Sequence, residues 1–385
     1  MNVVVVGGGF AGVKAAIEIS KRHLGKVTLI SDEPYFLHHA TLYATATGKS
    51  MAESVIPLRH IFAFHPQVNV VEDKMVSIDP RRRLIVGQHK EYHYDKAVIA
   101  IGSVTTYFGI KGMSDHAFGI KNIDEIKAFH NHIHDEVVNQ RLDKEYYIIG
   151  AGPTGVELAG ALCEYLADLI KIHDLKHSKA RITLVEAAPR ILPRSSETAA
   201  QKVAARLKKM GIRVLVNHKV EALDDDHIVI EGTTHPTKTA VWTSGVANNP
   251  FFAAQGDTFQ LAPNGRVIVD EHLQAVSHVY VLGDNNTAKN SGLAWPALHQ
   301  AEYIAKHLSR IATKRPLVPY KPRTFITGVP VGENWGYVEQ SGVYAAGRTG
   351  AWIRRQMELK GYEKLVPKRV AKDLWRAHYI PEIDV

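Results

Sequence analysis

Residues 145–170 read EYYIIGAGPTGVELAGALCEYLADLI: an apolar run, three glycines spaced as Gly150-x-Gly152-x-x-Gly155, then apolar residues at helical spacing. An unbroken apolar run fits a strand buried on both faces of a parallel sheet. The strand-like ARITLVEA follows at 180–187, which makes the whole a βαβ unit. The same grammar stands at the start of the chain. NVVVVG (2–7) leads into Gly7-x-Gly9-x-x-Gly12, a helix with Ala11, Ala15 and Ile19 on one side, and the strand KVTLIS (26–31). The architecture is therefore duplicated.

A glycine turn between a strand and a helix has a physical use. The first glycine permits the tight turn, the second lets backbone approach a pyrophosphate, and the third lets helix and strand pack. The helix N-terminus supplies free N–H groups and positive dipole. A single copy reads equally as a plain strand–helix turn; two in one chain point to two dinucleotides. The second unit ends its strand in Glu186, whose carboxylate can accept both ribose hydroxyl protons of an adenosine. Ala187, Ala188 and Pro189 follow, with no arginine at once to meet a 2′-phosphate. That favours NADH over NADPH, with Arg190 as the reservation. In the first unit the carboxylate arrives one residue later, at Asp32, with Ser31 as its substitute.

Composition narrows the chemistry. At 385 residues and 45% apolar content the chain can build two or three domains. Cys163, the one cysteine, cannot form an internal disulfide, a CxxC pair or a cysteine-rich metal centre, and no metal site is expected. Electrons must then be carried by bound cofactors. The chain enters its first strand directly after Met1, and no apolar run approaches a membrane span, so a cytoplasmic protein is expected, at most peripheral on a membrane. From Lys306 onward there are 15 Lys and Arg against 7 Asp and Glu, so the formal charge of +8 belongs to the tail. In 351–379 the apolar Trp352, Ile353, Met357, Val366, Val370 and Leu374 recur at helical spacing, with Arg354, Arg355, Lys368, Arg369, Lys372 and Arg376 largely outside the stripe. Such a segment can lie on an anionic membrane, pack on its own protein, or form a homodimer contact. No nucleic-acid module accompanies the charge, and a nucleic-acid partner is not expected.

Between and after the glycine units stand DKAVIAIGS (95–103), the polar FHNHIHDE (129–136), VWTSGVANNP (241–250), GRVIVDEHLQ (265–274), HVYVLGDNNT (278–287) and a helix opening with Trp295-Pro296. Proline-rich RPLVPYKPR (315–323) marks a boundary. The order GxGxxG, Ala100-Ile101-Gly102, GxGxxGxELAG, LVEAAPRILP, WTSG and LGD resembles the two-dinucleotide-domain flavoprotein reductases, over roughly residues 1–315. With YFLHHATLYATATG (35–48), it looks most like the type II NADH:quinone oxidoreductase family.

The resemblance implies an α/β fold of two Rossmann-like dinucleotide-binding domains and a short basic C-terminal region. The FAD-binding domain would be discontinuous, at 1–112 and 247–315, around an NAD(H)-binding domain at 113–246, with the basic region at 316–385. It implies non-covalent FAD on Gly7, Gly9, Phe10, Ala11, Gly12, Ser31 or Asp32, Met75, Ala100, Gly102, Gly283, Asp284, Pro296 and Ala297. NADH falls to Gly150, Gly152, Pro153, Thr154, Gly155, Glu186, Ser244 and Gly245. Asp284 would bond the ribityl or pyrophosphate end, though it can also be read as a strand-end turn. Glu157 stands where the family keeps a carboxylate near flavin and nicotinamide; alternatively it is a first-turn acid favouring the helix dipole. Relatives that work through a cysteine pair are excluded by the lone Cys163, so hydride passes from nicotinamide to flavin across about 3–3.5 Å. At the acceptor opening the family has two glutamines; here Trp295 and His299 take those positions, with Gln300 the next residue. They line an acceptor site or fill the domain interface. The acceptor is then a quinone or similar two-electron acceptor, with a redox protein or oxygen as the alternative. A third reading is an NADH-gated binding protein like the apoptosis-inducing relatives.

Overall fold

The computed structural model describes residues 1–175 and 180–380. Its longer helices are numbered α1 (Phe10–Ser20), α2 (Ile123–Val138), α3 (Pro153–Ile172), α4 (Glu197–Lys209), α5 (Ala294–Ala312), α6 (Arg348–Glu363) and α7 (Lys368–Ala377). Both apolar runs found in the sequence are central parallel strands. Asn2–Val6 lies between Lys26–Ser31 and Lys96–Ile99 in a six-stranded sheet, completed by Val68–Glu72, Val279–Val281 and an antiparallel edge, Gln274–Val276. Glu145–Ile149 lies between Arg181–Glu186 and Thr239–Trp242 in a four-stranded parallel sheet edged by Arg213–Val216. Such strands are buried on both faces, which is why their sequences show no alternation.

The duplication extends to individual atoms. Gly7 and Gly150 have φ of 114° and 104°, a region that favours glycine. The Gly7 N–H donates to the Ile30 carbonyl at 2.8 Å, and the Gly150 N–H donates to Val185 at 2.8 Å. A Cβ on Gly12 would stand 1.9 Å from the Gly7 carbonyl, and one on Gly155 would stand 1.9 Å from that of Gly150. Each third glycine is thus required by close helix–turn packing.

The C-terminal part takes one of the alternatives its sequence leaves open. It is folded onto both sheets' cores. An antiparallel sheet of Thr327–Pro330, Gly336–Gln340 and Val343–Gly347 packs Val329, Val331 and Tyr337 into the core around α3. A Cβ on Gly160 of α3 would meet the Gly332 nitrogen at 2.6 Å, so glycine permits the approach. Helices α6 and α7 place Tyr362, Leu365, Val366 and Ala371 in the core shared by α1 and α5. The apolar-stripe reading fails for α6. Its Trp352 is 65% exposed, while Arg354 is buried, because carboxylates meet that guanidinium inside. It holds better for α7, where Ala371 is buried and Lys368, Arg369, Lys372 and Arg376 face solvent. No helix among the described residues is long and apolar enough to cross a membrane.

Candidate active site

Each glycine loop presents an open face. Among the described residues, a Cβ on Gly9 or on Gly152 would have nothing within 4 Å, whereas those on their neighbours Gly7, Gly12, Gly150 and Gly155 would clash. Among the described residues no side chain caps the first turn of α1 or α3, so the N–H groups that these turns carry are uncapped, Pro153 itself having none. Space beside a bare helix N-terminus suits a pyrophosphate. Phe10 packs edge-on against Phe36 and His38, Ala11 is buried, and Pro153 and Thr154 are exposed at the α3 opening.

The two strand-end residues differ. The equivalent carbonyls of Ile30 and Val185 make Ser31 the counterpart of Glu186, with Asp32 one residue beyond. Ser31 is buried, its hydroxyl 2.4 Å from where a Cβ on Gly8 would stand; Asp32 is exposed. The Glu186 carboxylate accepts from the Ala151 N–H at 2.8 Å and from the Ala188 N–H at 2.9 Å, which fixes it beside the second loop. Arg190 is committed elsewhere. Its guanidinium donates to the carbonyls of Leu192, Pro193, Ser195 and Ser196 at 3.1, 2.9, 2.8 and 3.4 Å. Ser244 backs onto Gly150, and Thr243 donates its hydroxyl proton to the Ile149 and Gly150 carbonyls. Gly245, at φ 74°, has Phe108 and the Thr106 carbonyl where a side chain would go.

The LGD turn joins the first loop to α5. Gly283 lies between the Ala11 and Ala297 methyls, and its N–H donates to Gln300 Oε1 at 2.8 Å. Gln300 also accepts from Asn286 at 2.9 Å, so this buried residue braces the turn. Asn285 binds Gly102 twice, donating to its carbonyl at 2.7 Å and accepting from its N–H at 2.9 Å. Asp284 accepts from the Ser103 hydroxyl at 3.0 Å, and Lys121 donates to Ser103 at 3.1 Å. No motif in the sequence singles out Ser103 or brings Lys121 to Asp284. Desolvation by surrounding protein, with Lys121 adding and Asp284 opposing, holds the His39 imidazole below its ordinary value. The Ala100 carbonyl lies against Gly7 and would meet a Cβ there at 2.2 Å. Met75 is buried at the start of a strand paired with Leu84–Gly87.

Glu157 is one residue past the first turn of α3, and that turn contains no acid, so the dipole reading is set aside. Its carboxyl is buried and lies 3.8 Å from Arg354. Burial pushes its pKa up to about 8, with Arg354 opposing. Trp295 and His299 lie on α5 beneath the strap that precedes Thr327. Trp295 stacks on Phe325 with centroids 6.1 Å apart, and His299 Nδ1 is 3.3 Å from the Tyr320 hydroxyl. Burial and then Arg323 hold His299 below its ordinary pKa. Cys163 is half-buried, its thiol 3.5 Å from the Met210 carbonyl. Among the described residues no group of three His, Cys, Asp or Glu side chains could hold a metal ion.

Two Rossmann-like units, each with an open glycine loop, define an α/β protein. The comparisons agree. Residues 1–301 match the pyridine nucleotide-disulphide oxidoreductase family, and the chain belongs to it. The type II NADH:quinone oxidoreductase of Staphylococcus aureus is 26% identical over 388 residues, covering 94% of this chain and 96% of that one. Among solved structures, NDH2 from Plasmodium falciparum in complex with NADH matches with a TM-score of 0.85 at 15% identity, over 98% and 97% of the two chains. The sulfide:quinone oxidoreductase of Aquifex aeolicus matches at 0.79 and 20%, over 98% and 91%.

Proposed function

We propose that the first loop carries FAD, the second binds NADH, and the chain transfers two electrons to a quinone: NADH + H⁺ + quinone → NAD⁺ + quinol. The observation that carries this reading is the atom-level repeat of the glycine loop, open at Gly9 and Gly152, in a chain with a single cysteine. The family and the Staphylococcus aureus relative support it. FAD, when bound, supplies the two-electron relay between the substrates. The chain's part is to position and to manage protons. Glu186 holds the adenosine ribose, and Ser244 and Gly245 border the nicotinamide end. Lys121 and Ser103 steady Asp284 against the flavin chain. Glu157, neutral near pH 7, holds a proton beside the reaction. Trp295 and His299 border the acceptor, with His299 serving as a neutral hydrogen-bonding group. The basic face of α7, with exposed Tyr379 and Ile380 next to it, contacts an anionic lipid surface.

The test is direct. Purified protein is expected to be yellow, to bleach with NADH and to regain colour with menadione; a flavin that NADH does not bleach sinks the reading. Salt-sensitive flotation with anionic liposomes tests the α7 contact.

A second reading follows from the Trp295–Phe325 stack, which covers an acceptor position with aromatic rings. The acceptor is then a small redox protein receiving electrons at the surface. Fast turnover with such a carrier and none with quinones selects it.

A further inference from the structure

We infer that Glu53 and His378 are positioning residues that set the protonation of Glu157, through a buried chain of charges from the end of α7 to the site. The inference rests on the acid role of Glu157 given above. His378 Nδ1 lies 2.9 Å from Glu53 Oε2, which is 4.0 Å from Arg355 Nη1. Arg355 pairs with Glu358 Oε2, Arg354 donates to Glu358 Oε1 at 2.8 Å, and Arg354 lies 3.8 Å from Glu157. Glu53 is fully buried, and Glu358, Arg354, His378 and Glu157 are each 8% exposed or less.

The argument is one of charge. Three carboxyls face two guanidiniums, and guanidinium does not give up its proton in a protein. An uncompensated buried charge is costly, so the cluster retains one further proton. Glu358 is held on both oxygens, by Arg354 and Arg355, which leaves no free oxygen to carry a proton. The proton therefore resides either on the His378–Glu53 pair or on Glu157, at opposite ends of the chain. Glu53 Oε1, buried and without a partner among the described residues, is where a carboxyl proton would sit. Tyr379 lies against Arg355 and His378, and Tyr43, Tyr362 and His38 also face the cluster. Burial holds Tyr43 and Tyr362 well above the ordinary phenol value, and holds His38 down to about 3. Tyr362 donates to the Glu53 backbone carbonyl at 2.5 Å, and Arg354 donates to Ala40 at 3.2 Å. The segment 38–54 is thus tied to α6 on both sides of the chain.

Two groups competing for one proton titrate as a pair. His378→Gln denies the proton its imidazole, leaves Glu53 and Glu157 to compete, and raises the apparent pKa of Glu157. Adding Glu53→Gln removes the third carboxyl, so that two carboxyls face two guanidiniums, no further proton is required, and the apparent pKa of Glu157 falls back to the wild-type value or below. The experiment follows, in the FAD-loaded enzyme against pH, both the infrared carbonyl band of a protonated carboxyl and the stopped-flow reoxidation of NADH-reduced protein by menadione. Glu157→Gln identifies the band. The expected result is an upward shift of about half a pH unit or more in H378Q, reversed in E53Q/H378Q. No shift, or a shift the second substitution leaves in place, overturns the inference. Were NADH not to bleach the flavin, the proposed function would fail, while the infrared titration would still decide the coupling.

Discussion

The Arg354 guanidinium, on α6, lies 3.8 Å from the Glu157 carboxyl, on the helix opened by the second glycine loop. The same guanidinium donates to Glu358 at 2.8 Å and to the Ala40 carbonyl at 3.2 Å, so it ties three parts of the chain together. Removing one partner of a buried ion pair leaves the others uncompensated, at about 3–5 kcal/mol. Arg354→Met is expected to lower the unfolding free energy measured by urea titration by that order, and to push the Glu157 carboxyl further above its ordinary value. Arg354→Lys keeps the charge and is expected to lose less. Equal stability of wild type and R354M would show that the pair is not coupled to folding.

Buried neutral histidines make the fold acid-labile in a defined window. Burial, with His272 adding, holds His307 down to about 4; burial, with Arg354 adding, holds His38 down to about 3. Unfolded, each takes up a proton below an ordinary value near 6.5, so the unfolded state binds more protons between that pH and the folded value. Stability is therefore complete above about pH 6.5 and is lost as pH falls, by up to about 1.4 kcal/mol per pH unit per group. Denaturant titrations from neutral pH downward measure the slope, and His307→Gln is expected to flatten it. An unchanged slope in H307Q would assign the acid loss to other groups.

Much of the fold was legible because two local rules repeat. Apolar runs ending in spaced glycines fix a strand, a turn and a helix whatever surrounds them, and the chain states the rule twice. Lys121 beside Ser103 and Asp284 was not legible, because its position depends on how two sheets sit against each other. The misreading of α6 has a related cause. Hydrophobic periodicity assumes that buried means apolar, and α6 buries Arg354 and Glu358 in mutual compensation while leaving Trp352 outside. Ser31 and Asp32 were left as alternatives in the sequence. The hydrogen-bond register agrees with the strand alignment in making Ser31 the counterpart of Glu186.

Nucleotide preference follows from what Glu186 and Arg190 are doing. On the proposed NADH site, the fixed Glu186 carboxylate would repel a 2′-phosphate, and an arginine committed to four carbonyls would not neutralise one. NADH is expected to exceed NADPH in kcat/KM by about 100-fold. Glu186→Ala is expected to lower the NADH value by roughly 10- to 100-fold, as loss of hydrogen bonds to a charged group does, and to narrow the gap. Arg190→Ala is expected to leave the ratio unchanged while loosening the 190–196 turn. Steady-state kinetics with both nucleotides decide it, and a gap that widens in R190A would mean that Arg190 reaches the phosphate after all.

The acceptor end offers the sharpest test of the quinone reading against the protein-acceptor reading. Phe325 stacks on Trp295 and meets His299 edge-on with centroids 5.9 Å apart, and Tyr320 lies on His299 from the same strap. The strap has no regular secondary structure and much of it is exposed, so its aromatic rings can be cut back without dismantling a sheet or helix. If these rings narrow a quinone entrance, Phe325→Ala widens it for a ring carrying a long isoprenoid tail more than for a compact one. The expected outcome is a rise of about tenfold in kcat/KM for a tailed quinone, with menadione within about twofold, the scale on which a pocket discriminates by shape. Trp295→Gln with His299→Gln should move the preference the same way. If F325A slows every quinone equally while turnover with a small electron-carrier protein also falls, the rings serve a docking surface, and the electrons leave to a protein.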